Sequence, residues 1–205
     1  MYALVTNNEI TKLITNPKSM VIGDVRYPAK IFSVWSASEL NAIGIYEVVF
    51  DNSNFKDEKW YINTNQSYDF DGNEVTASYG TATPKAHADT LWTAQDETDG
   101  KGIEGEVATR GLKYNLIRDL KITVANELAK TDWYITRNTE KSTAIPSAIS
   151  THRDAVRTKQ AEIETQITNA SDTPALETLY TYVNTGTEEN RVYERPLGEF
   201  PKLES

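Results

Sequence analysis

The chain has 205 residues, 39% hydrophobic and 25% charged, so it can bury the core of one large domain or two small ones. It contains no cysteine, which excludes disulfides, thiolate metal sites and cysteine nucleophiles. The formal net charge is −9, and an acidic chain repels phosphate backbones, which disfavours nucleic acid as a partner. No apolar run reaches the roughly 18 residues of a membrane span, so no membrane is expected as a partner.

Residues 1–82 have the pattern of a small antiparallel β-rich module. Short apolar runs are separated by Asn7-Asn8, Gly23-Asp24 and Asp71-Gly72, which are residue pairs that favour tight turns between paired strands. Five aromatic residues lie among polar ones between positions 60 and 79, and cross-strand pairing explains them better than sugar binding does. They are Trp60, Tyr61, Tyr68, Phe70 and Tyr79.

One short helix is predicted inside this module, between Trp35 and Gly44. Ser36 and Glu39 have the spacing of a capping box, in which a hydroxyl and a carboxylate satisfy backbone N–H groups reciprocally. Gly44 can end the helix in a left-handed conformation. Residues 83–104 contain glycines, a proline and several acids but few large apolar side chains, so a linker is predicted there.

Residues 105–185 predict a helical domain. Leucine or valine recurs every fourth residue from Leu112 to Leu128, which is the spacing of one helix face. Tyr114, Ile122, Ala125 and Ala129 form a second apolar edge, so we expect this helix to pack between two neighbours, one of which could be another subunit. Thr131 and Asp132 can cap a short helix that follows them. A longer helix after Pro146 and a last one after Pro174 should come next.

Residues 186–205 predict an extended C-terminal arm, in which Leu197 and Phe200 could dock on another surface. The predicted fold class is therefore α+β: a small antiparallel β-rich N-terminal module followed by an α-helical hairpin or bundle in the C-terminal half.

No catalytic, cofactor-binding or metal site is predicted, and the chain is not expected to be an enzyme. His87 and His152 are far apart in sequence, and His152 lies on a helical seam where a hydrogen-bonded structural role is the simpler interpretation. The glycines at 100, 102 and 105 lack the spacing of a phosphate loop. The acidic turn at 69–74 lacks the spacing of a calcium loop.

Two stretches resemble proteins of tailed bacteriophages. Residues 35–48 are similar to a segment near the start of tail accessory proteins. The sequence Leu128-Ala129-Lys130-Thr131-Asp132-Trp133, followed by Pro146 and a helix with Arg153 and Arg157, resembles the C-terminal helical region of tail-fibre and tail-assembly chaperone-like proteins. His152 stands where that family usually has tyrosine.

The resemblance implies a structural component of the virion: a tail, collar or tail-fibre-associated protein that is assembled in the host cytoplasm. Its partners would be other tail or virion proteins in a homo-oligomer or symmetric assembly, with no small-molecule substrate. An assembly chaperone that is absent from the mature particle is the alternative, and an enzyme acting on host glycan is a third hypothesis that rests only on aromatic and acidic residues.

The residues expected to carry this role are structural or interface residues. Arg137, Arg153 and Arg157 can reach across the short connection after Trp133. We expect Trp133 to pack between helices, with one of these arginines on its face or paired to Asp132. The full set of candidates is Tyr114, Ile122, Asp132, Trp133, Arg137, Arg153, Arg157, Leu197 and Phe200.

Overall fold

The structure is a computed structural model that describes residues 1–203, and its contacts divide the chain into two units, Met1–Thr83 and Pro84–Ser205. The main sheet lies in the first unit and the long helices lie in the second, which confirms the predicted α+β class. In chain order the elements of the first unit are β1 (Tyr2–Thr6), β2 (Glu9–Ile14), β3 (Met20–Ile22), β4 (Val25–Tyr27), α1 (Ile31–Val34), α2 (Ala37–Asn41), β5 (Ile45–Asp51), β6 (Tyr61–Ile62), β7 (Ser67–Phe70) and β8 (Val75–Ser78), with β9 (Thr83–Pro84) at the boundary.

Five strands of the first unit form one sheet in the order β2-β1-β5-β8-β7. The expected antiparallel pairing holds for every neighbouring pair except β5 and β8, which run parallel with Val48 opposite Val75. The sheet is therefore mixed. A parallel pair needs a long crossover connection, and the chain between Asp51 and Val75 provides one.

The predicted hairpins form at the predicted turns. Asn7 and Asn8 adopt left-handed backbone angles (φ 54° and 64°) between β1 and β2, and Gly72 does so between β7 and β8. Between them the sheet buries Ala3, Val5, Val48, Val75 and Ala77.

The capping box at the start of α2 is present as predicted, because the Ser36 hydroxyl accepts from the Glu39 N–H and the Glu39 carboxylate accepts from the Ser36 N–H. Gly44 follows with φ +81°, and a Cβ at this position would lie 2.5 Å from the carbonyl oxygen of Val5. Glycine is thus required both by the backbone angle and by the close approach of β1.

The second unit begins with a small hairpin and continues as four helices. Its elements are β10 (Thr90–Leu91), α3 (Ala94–Thr98), β11 (Val107–Thr109), α4 (Leu112–Ala129), α5 (Asp132–Lys141), α6 (Ser147–Asn169), α7 (Thr173–Tyr180), β12 (Val183–Asn184) and β13 (Tyr193–Glu194).

The expectation of a linker at residues 83–104 is wrong. β10 pairs with β11, and α3 lies in the connection between them with a capping box made by Thr93 and Asp96. The Thr93 hydroxyl, as the main hydrogen-bond donor, lowers the pKa of Asp96 to about 2. A Cβ at Gly102 would meet the Trp92 indole at 2.3 Å, so this glycine permits close packing against the ring rather than flexibility.

Helices α4 and α6 pack against each other and supply the core of the second unit. Leu116, Leu120 and Val124 are the buried residues of α4, as the four-residue spacing predicts. On α6 the buried apolar residues are Ile149, Val156, Ile163 and Ile167.

The C-terminal arm is only partly extended. Its first part contains β13, which pairs with β12 just before the arm, and the sequence pattern did not predict this pairing. From Arg195 onward the described chain has no regular secondary structure. Residues 204 and 205, which belong to the predicted arm, lie outside the described residues.

Candidate assembly surfaces

The second apolar edge of α4 lies on the helix surface turned away from the buried leucines. Tyr114 is 43% exposed and Ile122 is 54% exposed, although both were candidates for a helix packed between two neighbours. Together with Ile117, Arg118, Lys121 and Ala125 they line one open apolar groove, which we call the outer α4 face. Exposed apolar side chains that are contiguous along a helix are typical of interaction surfaces.

The outer α4 face is basic as well as apolar. The Arg110 guanidinium lies 4.2 Å from the centre of the Tyr114 ring. Arg118 pairs with the adjacent Asp119 at 2.9 Å, and Lys121 lies 3.8 Å from a carboxylate oxygen of Glu164 on α6. These ion pairs are exposed, and exposed ion pairs contribute little to stability. Arg118 and Lys121 can therefore exchange them for a new acidic partner.

The turn between α4 and α5 is held by one buried arginine from α6. Arg153 is 8% exposed, and its guanidinium donates to the carbonyl of Leu128 at 2.8 Å and to the hydroxyl of Thr131 at 2.7 Å. The same nitrogen lies 2.9 Å from a carboxylate oxygen of Asp132, which confirms the expected pairing of an arginine with this aspartate.

Trp133 does not pack between helices, and this expectation is wrong. Its side chain is 51% exposed, and α5 buries none of its residues. The ring instead lies against Tyr134, with 3.7 Å between ring centres, and the Arg137 guanidinium lies 4.9 Å from the Trp133 ring centre. The tryptophan is therefore part of a surface cluster with Tyr134 and Arg137, a residue composition that is typical of binding hot spots.

Two other expectations for this region need correction. Arg157 does not reach across to α5, because its contact is an ion pair of 3.1 Å with Asp154 on its own helix. Thr131 makes no cap bond to α5, since its hydroxyl donates back to the Leu128 carbonyl at 3.0 Å while it accepts from Arg153. Because the Thr131 hydroxyl is used in these two hydrogen bonds, it does not cap α5 as the sequence pattern predicted.

The C-terminal arm docks on the helices of its own unit. Leu197 is 3% exposed, and its N–H donates to the carbonyl of Leu179 on α7 at 3.1 Å. Phe200 is half-buried and lines a cavity with Glu127, Thr131 and His152. Leu197 and Phe200 were predicted to dock on an unspecified surface, and in the structure that surface belongs to the helices of the same unit.

In the β-rich unit, Trp60 and Tyr61 are each only 3% exposed. Tyr68 and Phe70 pack against the sheet core. This placement supports the structural interpretation of the aromatic cluster over sugar binding.

Within residues 1–203, no group of three or more histidine and acidic side chains is placed to hold a metal ion. No helix in the described part of the chain is long and apolar enough to cross a membrane. Comparison with protein-family models, with curated proteins and with solved structures finds no match to this chain.

Proposed function

We propose that the chain is a non-enzymatic assembly component of a tailed-bacteriophage particle, a tail, collar or tail-fibre-associated protein that binds other proteins of the particle. The observation that carries the proposal is the outer α4 face, where Tyr114 and Ile122 are exposed beside Ile117 and Ala125. The tailed-phage resemblance of residues 128–157 gives the biological setting for that surface.

The chemistry of the outer α4 face selects its partner. Its apolar centre requires apolar side chains, and the basic groups of Arg118 and Lys121 on the same face require carboxylates. A second copy of α4 packed on this face would bring the basic groups of both copies together, which costs free energy. The partner is therefore an acidic amphipathic helix of another protein of the particle.

A peptide experiment tests the surface. The probe is a synthetic helical peptide with leucine on one face and glutamate on the other, and the control probe carries lysine in place of glutamate. Fluorescence anisotropy should show binding of the acidic peptide only. Ile122→Ser should weaken that binding by about tenfold, whereas Ile62→Ser, at an isoleucine of similar exposure in the other unit, should leave it unchanged.

Equal binding of the two peptides, or insensitivity to Ile122→Ser, contradicts the proposed surface. Analytical ultracentrifugation tests for self-association, because a dimer that dissociates on Ile122→Ser would show that a second copy occupies the face.

Mass spectrometry of purified particles of the encoding phage tests whether the protein is part of the virion. The protein should be present, and its absence together with failed particle assembly would favour the chaperone alternative.

A further inference from the structure

The end of the described chain lies across the junction of α4 and α6. We call residues 197–203 the strap. Leu197 anchors the strap on α7, as described above, and its later residues line two cavities that share one side chain, His152. One cavity also includes Ala148 and Ala155 of α6 beside Leu203. The strap therefore shares both of these cavities with His152.

His152 is buried, and only one of its two ring nitrogens lies near a partner. It is 7% exposed, its Nε2 lies 3.5 Å from a carboxylate oxygen of Glu127, and its Nδ1 is buried without a hydrogen-bond partner among the described residues. A neutral imidazole can leave Nδ1 as an acceptor, but a protonated imidazole carries an N–H on both nitrogens. A buried N–H without an acceptor is destabilising.

Charged groups of several elements lie near His152. At the C-terminal end of α4, Lys130 hydrogen-bonds the Glu127 carboxylate, so this acid is shared between the lysine and the ring. This lysine is the main reason why the pKa of Glu127 lies below its usual value, so the carboxylate stays ionised under mildly acidic conditions. The strap brings Lys202 to the same cavities, and α6 brings the neighbouring Arg153, whose charge Asp132 of α5 balances.

We propose that protonation of His152 releases the strap from the α4–α6 junction. Water must reach Nδ1 to accept its new proton. Helices α4 and α6 are held together by their apolar core, so the strap is the neighbour of these cavities that can move. The docked form binds the neutral ring more tightly than the protonated ring. Docking is therefore complete above the pH range in which histidine titrates and is lost as the pH falls through that range. The inference is independent of the proposed partner of the outer α4 face.

Methyl NMR on the full chain tests the proposal. Nuclear Overhauser contacts between the methyls of Leu203 and those of Ala148 and Ala155 should be present at about pH 7.5 and lost by about pH 5. The methyls of Ile163 and Ile167 report whether the helical core stays folded. Loss of the strap contacts should follow the same titration curve as the ring signals of His152.

Variants separate this mechanism from a general effect of acid. His152→Gln should keep the strap contacts at both pH values, and His87→Gln, which removes the only other histidine, should keep the wild-type response. Glu127→Gln removes the carboxylate that stabilises a protonated ring, and Glu127 and His152 lie on helices that stay packed. The ring titration and strap release should therefore both shift to lower pH. Strap contacts that persist at about pH 5, or a His152 titration that does not coincide with their loss, overturn the proposal, and the wild-type comparison decides the matter even if a variant does not fold.

Discussion

Helix α4 has two apolar faces that look alike in sequence and differ in what covers them. The inner face, with Leu116, Leu120 and Val124, is buried against its own chain. The outer face exposes Tyr114 and Ile122 by about half. Hydrophobic spacing therefore identifies a helix face that needs a partner, but the spacing does not identify the partner.

The largest expected effect comes from the inner face. Leu120→Ala removes a side chain that is 7% exposed, and the cavity it leaves should lower the free energy of unfolding by about 2–5 kcal/mol. Urea denaturation followed by circular dichroism measures the change. A loss below about 1 kcal/mol would mean that the inner face repacks easily and that the contrast between the two faces is weaker than the exposures indicate.

The next effect concerns how the end of α4 is fixed to α5. Arg153→Ala leaves the Thr131 hydroxyl and the Asp132 carboxylate without their guanidinium partner and should lower the free energy of unfolding by about 1–3 kcal/mol. Arg157→Ala on the same helix is the matched control, because its ion pair with Asp154 is exposed and should contribute little. Equal losses in the two variants would contradict the role of Arg153 at this turn.

A smaller effect is expected at Trp133, even though tryptophan is the largest side chain. Its ring is half exposed and contacts Tyr134 and Arg137 on the surface of α5, so Trp133→Ala should lower the free energy of unfolding by less than about 1 kcal/mol. Thermal denaturation with the same protein preparation measures it. A loss of about 3–5 kcal/mol would place the ring in a core after all.

The smallest effect belongs to the outer face of α4. Ile122→Ala should change the free energy of unfolding by no more than about 0.5 kcal/mol, because the side chain is 54% exposed. Measured beside Leu120→Ala under identical conditions, it gives the sharpest form of the comparison between the two faces. A substantial destabilisation would show that the outer face is already covered within the chain.

Local signals in the sequence predicted much of the fold. The four-residue spacing of α4, the turn pairs Asn7-Asn8 and Asp71-Gly72, and the Ser36–Glu39 capping box all act over a few residues, and all of them appear in the structure. The sequence pattern did not predict the β10–β11 hairpin, which begins in the expected linker, because the glycines of this segment resemble a flexible connection. Gly102 in fact allows the Trp92 ring to pack closely, which depends on a partner ten positions away.

The candidate site was less predictable for the same reason. The pairing of Arg153 with Asp132 could be anticipated because Asp132 begins one short helix, Arg153 lies near the start of the next helix, and the two side chains have opposite charges. The exposure of Trp133 could not, because it depends on whether another element covers α5. The cavity that His152 shares with the strap depends on residues about fifty positions later in the chain.

The parallel pairing of β5 with β8 has a consequence for the order in which the N-terminal unit folds. The hairpins β1–β2 and β7–β8 each close a short loop, so they can form early, whereas β5 meets β8 only after the chain between Asp51 and Val75 has been brought back. That single pairing joins the two halves of the sheet. Pairing of β5 with β1 and with β8 closes longer loops than either hairpin does, so these two steps should limit the folding rate. Until β5 pairs with β8, both halves present an unpaired strand edge to other chains.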